Sequence, residues 1–380
     1  MAKRIERISL GSMSPGTERH LLAHRYGRIG ARPKAYLQAS IHADEIPAMM
    51  AAHHLIRLLD AAEGRGEITG EIVVVPVANP IGLGQNVAGN HIGRSEIRGG
   101  GNFNRNWPDM FDGLPEALEG RLGAEPERNV AAIREAMGRR LANMVAEAEF
   151  SRLRLELYRL AYDADIILDM HCDDEALMHV YLTTDFWPNG ADLAAETGSR
   201  AVFLATDSGG RSFEEQIYLA FRKLRLHFGD KYPIPPTVLT STIEFRGQAD
   251  VNDEFGTHDG QALFRFLQRR GLIAGDPGPL PPLLCEGTPL DAADYMQAPK
   301  AGLLAYKVNL GDVVRKGDLI AEIIDPLAED QANARTPMRA VTDGIVVSRC
   351  SHKLVAPGEG ITMIAGKEPL PHRKGLLLSD

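Results

Sequence analysis

Short apolar segments alternate with amphipathic segments over roughly the first 270 residues of the chain. The apolar segments are rich in Val, Ile, Leu and Tyr and are bounded mostly by polar, Gly or Pro residues, a pattern that predicts β-strands. Six strands are predicted in this way, at 34–42, 71–78, 164–172, 179–184, 201–207 and 237–245. Because helical segments separate them, we expect βα units around a mixed or mostly parallel sheet.

Three stretches between the predicted strands have helical character. The first opens at Asp44 with acidic residues and Pro47, then repeats apolar residues at helical spacing to about Leu59. Ser212 and Glu215 form a capping-box pattern that predicts the start of another helix. The Ala-, Arg-, Glu- and Leu-rich stretch 127–161 predicts one or two amphipathic helices. This stretch forms most of an insertion at about 110–161. The insertion could serve as a wall of the site, as a lid or as a contact between subunits.

The pattern changes after residue 274. The Pro- and Gly-rich segment GDPGPLPPLLCEGTP, residues 275–289, is typical of a linker. From 298 to 366 the sequence consists of short β-type runs separated by glycines, without a long helical stretch. We therefore expect a catalytic domain over 1–274, a linker over 275–289 and a small all-β domain over 290–380.

Composition excludes several classes of protein. The formal net charge of −9 gives no basic surface for nucleic acid. No apolar stretch reaches the ~18 residues of a membrane span, and the first residues lack the apolar core of a signal peptide. The three cysteines, Cys172, Cys285 and Cys350, are widely spaced, which favours a reducing compartment and no disulfide. We expect a cytoplasmic protein without nucleic-acid or membrane partners.

Candidate metal ligands stand at the ends of two predicted strands. His42 and Glu45 are three residues apart in SIHADEIPA, close enough for both to reach one metal ion. His171 supplies a third ligand in ADIILDMHC. Because the carboxyl ends of strands in open α/β sheets face one crevice, we expect these residues to bind one Zn²⁺ per chain and to leave a position for water. Taken singly, each histidine also suits a polar position at a helix start.

Two acidic residues are candidates to assist the metal site. Asp169 shares a strand face with His171 and is expected to fix that imidazole by a hydrogen bond or to meet substrate. Glu244 lies in the apolar strand VLTSTIEFRG, where a bare carboxylate is costly unless it is functional or paired, and it is our candidate general base. Arg246, two residues along the strand, offers the alternative of a simple ion pair with Glu244.

Arginines near a glycine-rich loop are candidates for substrate binding. In GGGNFNRNWPD, residues 99–109, Asn104 and Arg105 suit a clamp for an α-carboxylate, although a solvated loop arginine is the alternative. Upstream, Arg94 and Arg98 are candidates for a cation near the scissile carbonyl, where negative charge develops. Of these two, Arg98 is preferred for that catalytic role and Arg94 is placed with the substrate-binding residues.

Taken together, these motifs resemble the succinylglutamate desuccinylase and aspartoacylase family, a branch of the zinc carboxypeptidase superfamily. The resemblance rests on the H-x-x-E of His42 and Glu45, an Asn-Arg pair before Trp107–Pro108, a D-x-H ending at His171 and the strand glutamate Glu244. It covers most of residues 30–366. It implies an α/β fold, with a zinc carboxypeptidase-like mixed sheet flanked by helices, followed by a small all-β barrel-sandwich-like domain.

The resemblance also implies an activity, the hydrolysis of a small N-acyl amino acid, for example an acetyl or succinyl derivative. A metallocarboxypeptidase acting on short peptides and a degenerate, non-catalytic binding protein are the alternatives. The C-terminal module is similar to biotinyl and lipoyl carrier domains in VNLGDVVRKGDLIAEI, yet no modifiable lysine follows this run. We therefore expect the module to act as a structural cover that narrows the cleft. The expected partner is a small-molecule N-acyl amino acid, and a homo-oligomer is compatible with the sequence.

Overall fold

The structure of the protein, a computed structural model, describes residues 3–378. The helices, in chain order, are α1 Pro47–Gly64, α2 Pro80–Leu83, α3 Leu114–Ala117, α4 Pro126–Asn143, α5 Glu149–Ala161, α6 Ala191–Thr197, α7 Phe213–Phe228 and α8 Asp253–Arg269. The strands are β1 Arg4–Ser9, β2 His20–Tyr26, β3 Lys34–Ala39, β4 Glu71–Val75, β5 Asn86–Val87, β6 Asn90–His91, β7 Ser95–Glu96, β8 Gly101–Asn102, β9 Ile166–Asp173, β10 Glu175–Ala176, β11 His179–Leu182, β12 Ala201–Leu204, β13 Leu239–Gly247, β14 Gly287–Pro289, β15 Ala293–Gln297, β16 Gly302–Tyr306, β17 Val313–Val314, β18 Leu319–Ile324, β19 Arg335–Arg339, β20 Gly344–Arg349, β21 Leu354–Val355 and β22 Gly360–Ala365.

A large mixed sheet forms the centre of the first domain. Within residues 3–378 its strand order is β1-β2-β4-β3-β9-β13-β11-β12-β14. The central strands β4, β3, β9 and β13 run parallel. The pairs β1–β2, β2–β4 and β13–β11 are antiparallel, and β11, β12 and β14 run parallel to one another. The predicted fold class, a mixed sheet flanked by helices, is confirmed.

Helices cover both faces of this sheet. One apolar cluster joins one face to α4, α5 and α7, and a second joins the opposite face to α1, α6 and α8. The predicted insertion thus provides α4 and α5 as part of a covering layer. Trp107, at its edge, is fully buried and packs against the rings of Tyr158 and Phe213 at 4.9 Å between centroids.

The C-terminal part consists of two small, mainly antiparallel sheets around a separate apolar core. The predicted linker is not entirely irregular, because β14 adds three of its residues as a parallel edge strand to the large sheet. In return, β10 of the first domain pairs with β20 of the second. The two parts are therefore joined through backbone hydrogen bonds as well as through the chain.

Some predicted boundaries were wrong. The first predicted strand ends at Ala39 instead of residue 42, because Ser40 has a φ of 57° and the chain turns there toward α1. The two outer strands β1 and β2 were not predicted, since β1 is a largely exposed edge strand with charged residues. Within residues 3–378, no helix combines the length and apolar character that crossing a membrane requires.

Candidate metal and catalytic site

A tight turn after β3 places His42 and Glu45 at the carboxyl end of the sheet. The backbone N–H of Ser40 donates to the carbonyl of Met170 on the neighbouring strand at 3.0 Å, and its hydroxyl donates to the carbonyl of Glu45 at 2.7 Å. The N–H of Glu45 donates to the carbonyl of His42 at 3.1 Å. Both side chains are consequently fixed beside the end of β9, where His171 lies.

The three predicted ligands come together. One ligand atom from each of His42, Glu45 and His171 lies within 4.8 Å of the other two, and all three residues are buried. Glu45 stands between the imidazoles, with Oε1 at 2.8 Å from Nδ1 of His42 and Oε2 at 2.6 Å from Nδ1 of His171. Adjacent parallel strands and one turn thus bring residues far apart in the chain to a single point.

The far side of each imidazole shows which nitrogen is available to a metal. Nε2 of His42 lies 2.8 Å from Oδ1 of Asn102, an oxygen that also accepts from the N–H of Asn104 at 2.8 Å. Nε2 of His171 lies 3.1 Å from Oδ2 of Asp169. Each Nε2 atom lies within hydrogen-bond distance of an acceptor oxygen, which suits Nε2–H tautomers, although Nδ2 of Asn104 also lies 3.2 Å from Nε2 of His171. In these tautomers the Nδ1 lone pairs point toward the Glu45 carboxylate. Two Nδ1 lone pairs and a carboxylate that face one another need a proton or a cation between them. Two imidazoles and one carboxylate are a ligand set that suits Zn²⁺.

Asp169 connects the metal ligands to the loop that contains Asn104. Oδ1 of Asp169 accepts from Gln38 Nε2 at 2.9 Å, and Oδ2 accepts from Asn104 Nδ2 at 3.1 Å. Oδ1 of Asn104 in turn accepts from the N–H of Phe213 at 3.0 Å. Asn104 borders the cavity, yet both ends of its amide are bound within the protein, so its contacts position Asp169 and differ from those of the expected carboxylate clamp.

Glu244 lies directly beside His171, its register partner on the parallel strand β9. Its Oε2 atom is buried and has no hydrogen-bond partner among residues 3–378. The pKa of Glu244 is raised to about 8, chiefly by burial, and the negative charges of Glu45 and Asp173 add to this effect while the positive charge of His171 opposes it. A carboxyl group with a pKa near neutrality is able to take up and release a proton.

Arg246 does not neutralise Glu244, so the ion-pair alternative was wrong. A register shift between Glu244 and Gly247 and a φ of 63° at Arg246 turn its side chain away. Its guanidinium binds both carboxylate oxygens of Asp259 and lies 4.2 Å from the ring centre of Phe255. Arg246 therefore joins β13 to α8.

The candidate arginines separate into two groups. Arg94 borders the cavity and its Nη1 lies 3.3 Å from Oε1 of Glu45. Arg105 also borders the cavity and packs so closely on Gly210 that a Cβ there would lie 2.9 Å from Arg105 Cδ. Arg98 is exposed in the turn between β7 and β8 and is absent from the described cavity lining, because this hairpin directs its turn toward solvent. Of these two arginines, Arg94 therefore lies at the cavity and Arg98 lies outside its described lining.

An arginine of the insertion holds the Asn-Arg loop, and sequence analysis did not identify it. The guanidinium of Arg154 on α5 donates to the backbone carbonyls of Asn102, Arg105 and Asn106 at 2.9, 2.6 and 3.0 Å. Burial lowers its pKa to about 10, and it lies 5.1 Å from the ring centre of Trp107. The insertion thus supports the site through the backbone of this loop.

The site opens into a cavity of about 160 Å³. Residues 42–244 supply most of its lining, and the C-terminal part contributes Leu290, Tyr295, Met363 and Leu378. The N–H of Leu377 donates to the carbonyl of Ser208 at 2.8 Å, which attaches the last described residues to the rim. The C-terminal part is therefore a component of the cavity wall.

Two further acidic residues line the cavity, at the start of α7. Oε1 of Glu214 accepts from the hydroxyls of Ser212 and Thr242, both at 2.9 Å, and Oε1 of Glu215 accepts from the N–H of Ser208 at 2.9 Å. Ser212 occupies the predicted N-cap position, but its side chain forms no cap hydrogen bond. Burial raises the pKa of Glu214 to about 7, with further contributions from Asp169 and Glu215. In the sequence, both residues fit the first turn of a helix, so the pattern alone does not place them in the cavity.

The sequence model of the succinylglutamate desuccinylase/aspartoacylase catalytic domain matches residues 31–252, more than half of the chain. The chain belongs to this family. The family resemblance inferred from the motifs is thereby confirmed. Membership of this family is consistent with the expected reaction class, a hydrolase that removes an acyl group.

Individual relatives agree with this assignment. The chain is 26% identical over 347 residues to the N-alpha-acetyl-L-2,4-diaminobutyric acid deacetylase of Halomonas elongata, covering 88% of this chain and 83% of the relative. Two solved structures share the fold: a protein from Shewanella frigidimarina NCIMB 400 assigned to the same family (TM-score 0.83, 20% identity, 96% and 97% of the two chains) and the product-bound ectoine utilization protein of Ruegeria pomeroyi (TM-score 0.67, 17% identity, 96% and 95%).

Proposed function

We propose that this protein is a zinc-dependent deacylase that hydrolyses the amide bond of a small N-acyl amino acid. The observation that carries the proposal is the meeting of His42, Glu45 and His171 beside the buried, unpaired oxygen of Glu244 in one small cavity. Membership of the family supports the reaction class. The name of the Halomonas elongata relative supports a small acylated amino acid as substrate.

The three ligand residues would hold one zinc ion through Nδ1 of His42, Nδ1 of His171 and the carboxylate of Glu45. Bound there, zinc would supply Lewis acidity to the amide carbonyl and to the attacking water. Asn102 and Asp169 keep the two imidazoles in the required tautomer by accepting from their Nε2 atoms.

Glu244 is the proposed general base and, afterwards, the general acid. Its carboxylate takes a proton from the attacking water, and the resulting carboxyl group then donates that proton to the leaving amide nitrogen. Water attack forms the new carbon–oxygen bond, and breaking the carbon–nitrogen bond releases a carboxylic acid and a free amine. Arg94, close to Glu45, is placed to stabilise the negative charge that develops on the carbonyl oxygen.

The size of the cavity favours a small substrate over a peptide. At about 160 Å³ it is smaller than the roughly 300–1,000 Å³ typical of sites for drug-sized ligands. Tyr295 and Met363 of the C-terminal part form part of the cavity wall. A peptide C terminus would have to pass this wall, so the carboxypeptidase alternative is less compatible with the structure.

A substrate screen on the metal-analysed protein tests the proposal. The protein would be purified, its zinc content measured, and released amine quantified for N-acetyl and N-succinyl amino acids and for short peptides. We expect turnover of one or more N-acyl amino acids that a chelator abolishes and zinc restores. Cleavage of peptides alone would replace the proposal with a carboxypeptidase, and zinc-loaded protein without any hydrolysis would replace it with a binding protein.

A further inference from the structure

The cavity contains a second set of buried acceptors beside the proposed reaction centre. Glu214 and Glu215 are only 7% and 9% exposed, and each has one carboxylate oxygen bound within the protein. The other oxygen of each, together with the hydroxyl oxygen of the buried Thr183, has no hydrogen-bond partner among residues 3–378. All three residues line the cavity. Burying acceptors in this way is costly, and a donor on a bound molecule offsets the cost.

The charge of the cavity indicates which donor fits. Five carboxylates, those of Glu45, Asp173, Glu214, Glu215 and Glu244, line the described cavity, and two guanidinium groups oppose them. A bound divalent cation and an ammonium group would favour the ionised forms of these acids, and with every acid ionised the lining and the divalent cation together carry a formal charge of −1. Such a cavity disfavours a substrate with additional carboxylates and favours one with a cationic group.

Glu214, the first residue of the acid pair Glu214 and Glu215, lies at a distance from the proposed general base Glu244 that one small substrate can span. Thr242, whose hydroxyl binds Glu214, precedes Glu244 by two residues on β13, so both side chains point to the same face of the sheet. Positions two apart on a strand are separated by about 6.6 Å. A short amino-acid side chain covers a span of this order, from an amide at the reaction centre to a group beside Glu214.

We propose that Glu214 and Glu215 bind a free ammonium group of the substrate, which makes the substrate class N-acyl derivatives of short diamino acids. This inference rests on the proposed deacylase function. An ammonium group has three donors, and the unpartnered oxygens of Glu214, Glu215 and Thr183 provide three acceptors. The α-carboxylate of the same molecule would then face Arg105, which also lines the cavity.

Three substrates of matched size test the inference on the wild-type protein. They are Nα-acetyl-L-2,4-diaminobutyrate, N-acetyl-L-2-aminobutyrate, which lacks only the ammonium group, and N-acetyl-L-aspartate, which has a carboxylate in its place. We expect kcat/KM for the first to exceed that for the second by ~10- to 100-fold, because charged hydrogen bonds are strong. N-acetyl-L-aspartate is expected to be the poorest of the three.

Glutamine variants assign the preference to the acid pair. Glu214→Gln and Glu215→Gln are each expected to reduce the ratio of the first two kcat/KM values by about tenfold, mainly through a higher KM for the diamino acid derivative. Glu254→Gln is the matched control, since Glu254 is an exposed acid in the first turn of α8. The control should leave the ratio unchanged, and thermal unfolding checks that every variant folds.

The outcomes separate the inference from the function on which it rests. If wild-type protein cleaves N-acetyl-L-2-aminobutyrate as well as the diamino acid derivative, the ammonium site is overturned and the deacylase function stands. An undiminished ratio in both glutamine variants would likewise overturn the role of the pair. If zinc-loaded protein cleaves no N-acyl amino acid, the proposed function itself is overturned.

Discussion

The guanidinium of Arg154 donates a hydrogen bond of 2.6 Å to the backbone carbonyl of Arg105. Arg154 lies on α5 of the insertion, and Arg105 is the cavity-lining arginine of the Asn-Arg loop. The same guanidinium binds the carbonyls of Asn102 and Asn106, so one side chain fixes the path of the loop. Because Asn102 is also the partner of His42, this contact links the insertion to the proposed metal site.

Replacing Arg154 with Met should loosen the loop while retaining most of the side-chain volume. Three partly buried carbonyls would lose a donor, and we expect a fall in kcat/KM of ~10- to 100-fold that appears more in KM than in kcat. Steady-state kinetics would show the division between KM and kcat, and Arg154→Lys should recover part of the loss.

Arg159→Met provides the matched control for this prediction. Arg159 lies on the same helix and also donates to backbone carbonyls, those of Leu141 and Met144, away from the cavity. Its loss should lower thermal stability and leave KM unchanged. Equal kinetic effects from the two variants would mean that Arg154 supports only the general fold.

Glu244→Gln should retain zinc and lose hydrolysis. The amide cannot take a proton from water, and general-base catalysis typically contributes 10²- to 10⁴-fold, so we expect a loss of about that size in kcat. Metal analysis and turnover would be measured on the same preparation, with Glu254→Gln as the charge-matched control. Turnover within a few-fold of wild type would show that another group accepts the proton.

The sequence was sufficient to predict the candidate metal triad, because His171 lies near the end of one apolar strand and His42 and Glu45 follow another. Strand ends of a parallel sheet meet at one edge, so His42, Glu45 and His171 needed only their strands to be recognised. The arginines were harder to place. Arg94 and Arg98 are four residues apart, and only the geometry of the β7–β8 hairpin shows that one points to Glu45 and the other to solvent.

Other site residues have no distinctive sequence pattern. Arg154 donates to backbone carbonyls, and every residue has a backbone carbonyl. The side chains of the loop residues therefore do not indicate that an arginine binds them. Glu214 and Glu215 occupy the first turn of a helix, where acidic residues are common for reasons of helix stability. Their burial in the cavity depends on how α7 packs against β13, a tertiary contact that local patterns do not specify.

Asp169→Asn should weaken zinc binding, because the amide is able to present its donor to Nε2 of His171 and favour the wrong tautomer. Loss of such supporting contacts typically reduces metal affinity by about 10- to 100-fold. Competition with a chromogenic chelator would measure the zinc dissociation constant. Asp165→Asn is the control, since Asp165 precedes the other end of β9 and binds Lys34 and Arg134. A dissociation constant that changes equally in both variants would contradict the supporting role of Asp169.

Zinc binding should release one proton from His171, which makes the affinity depend on pH. In the metal-free protein burial lowers the pKa of His171, but the charges of Asp169 and Glu45 outweigh this and hold it well above its usual range. Burial lowers the pKa of His42 to about 4, so that ring is already neutral near pH 7. Zinc needs neutral imidazoles, and protons therefore compete for one ring only.

From these pKa directions, zinc affinity should fall by about tenfold for each pH unit below the raised pKa of His171, and above it the dependence should level off. Calorimetric titrations in two buffers of different ionisation enthalpy would count the protons released. The Glu244→Gln background is the appropriate protein, because the carboxyl group of Glu244, with a pKa of about 8, would otherwise release a proton of its own. Release of no proton near pH 7 would mean that His171 is neutral before zinc binds, and release of two would mean that His42 is also protonated.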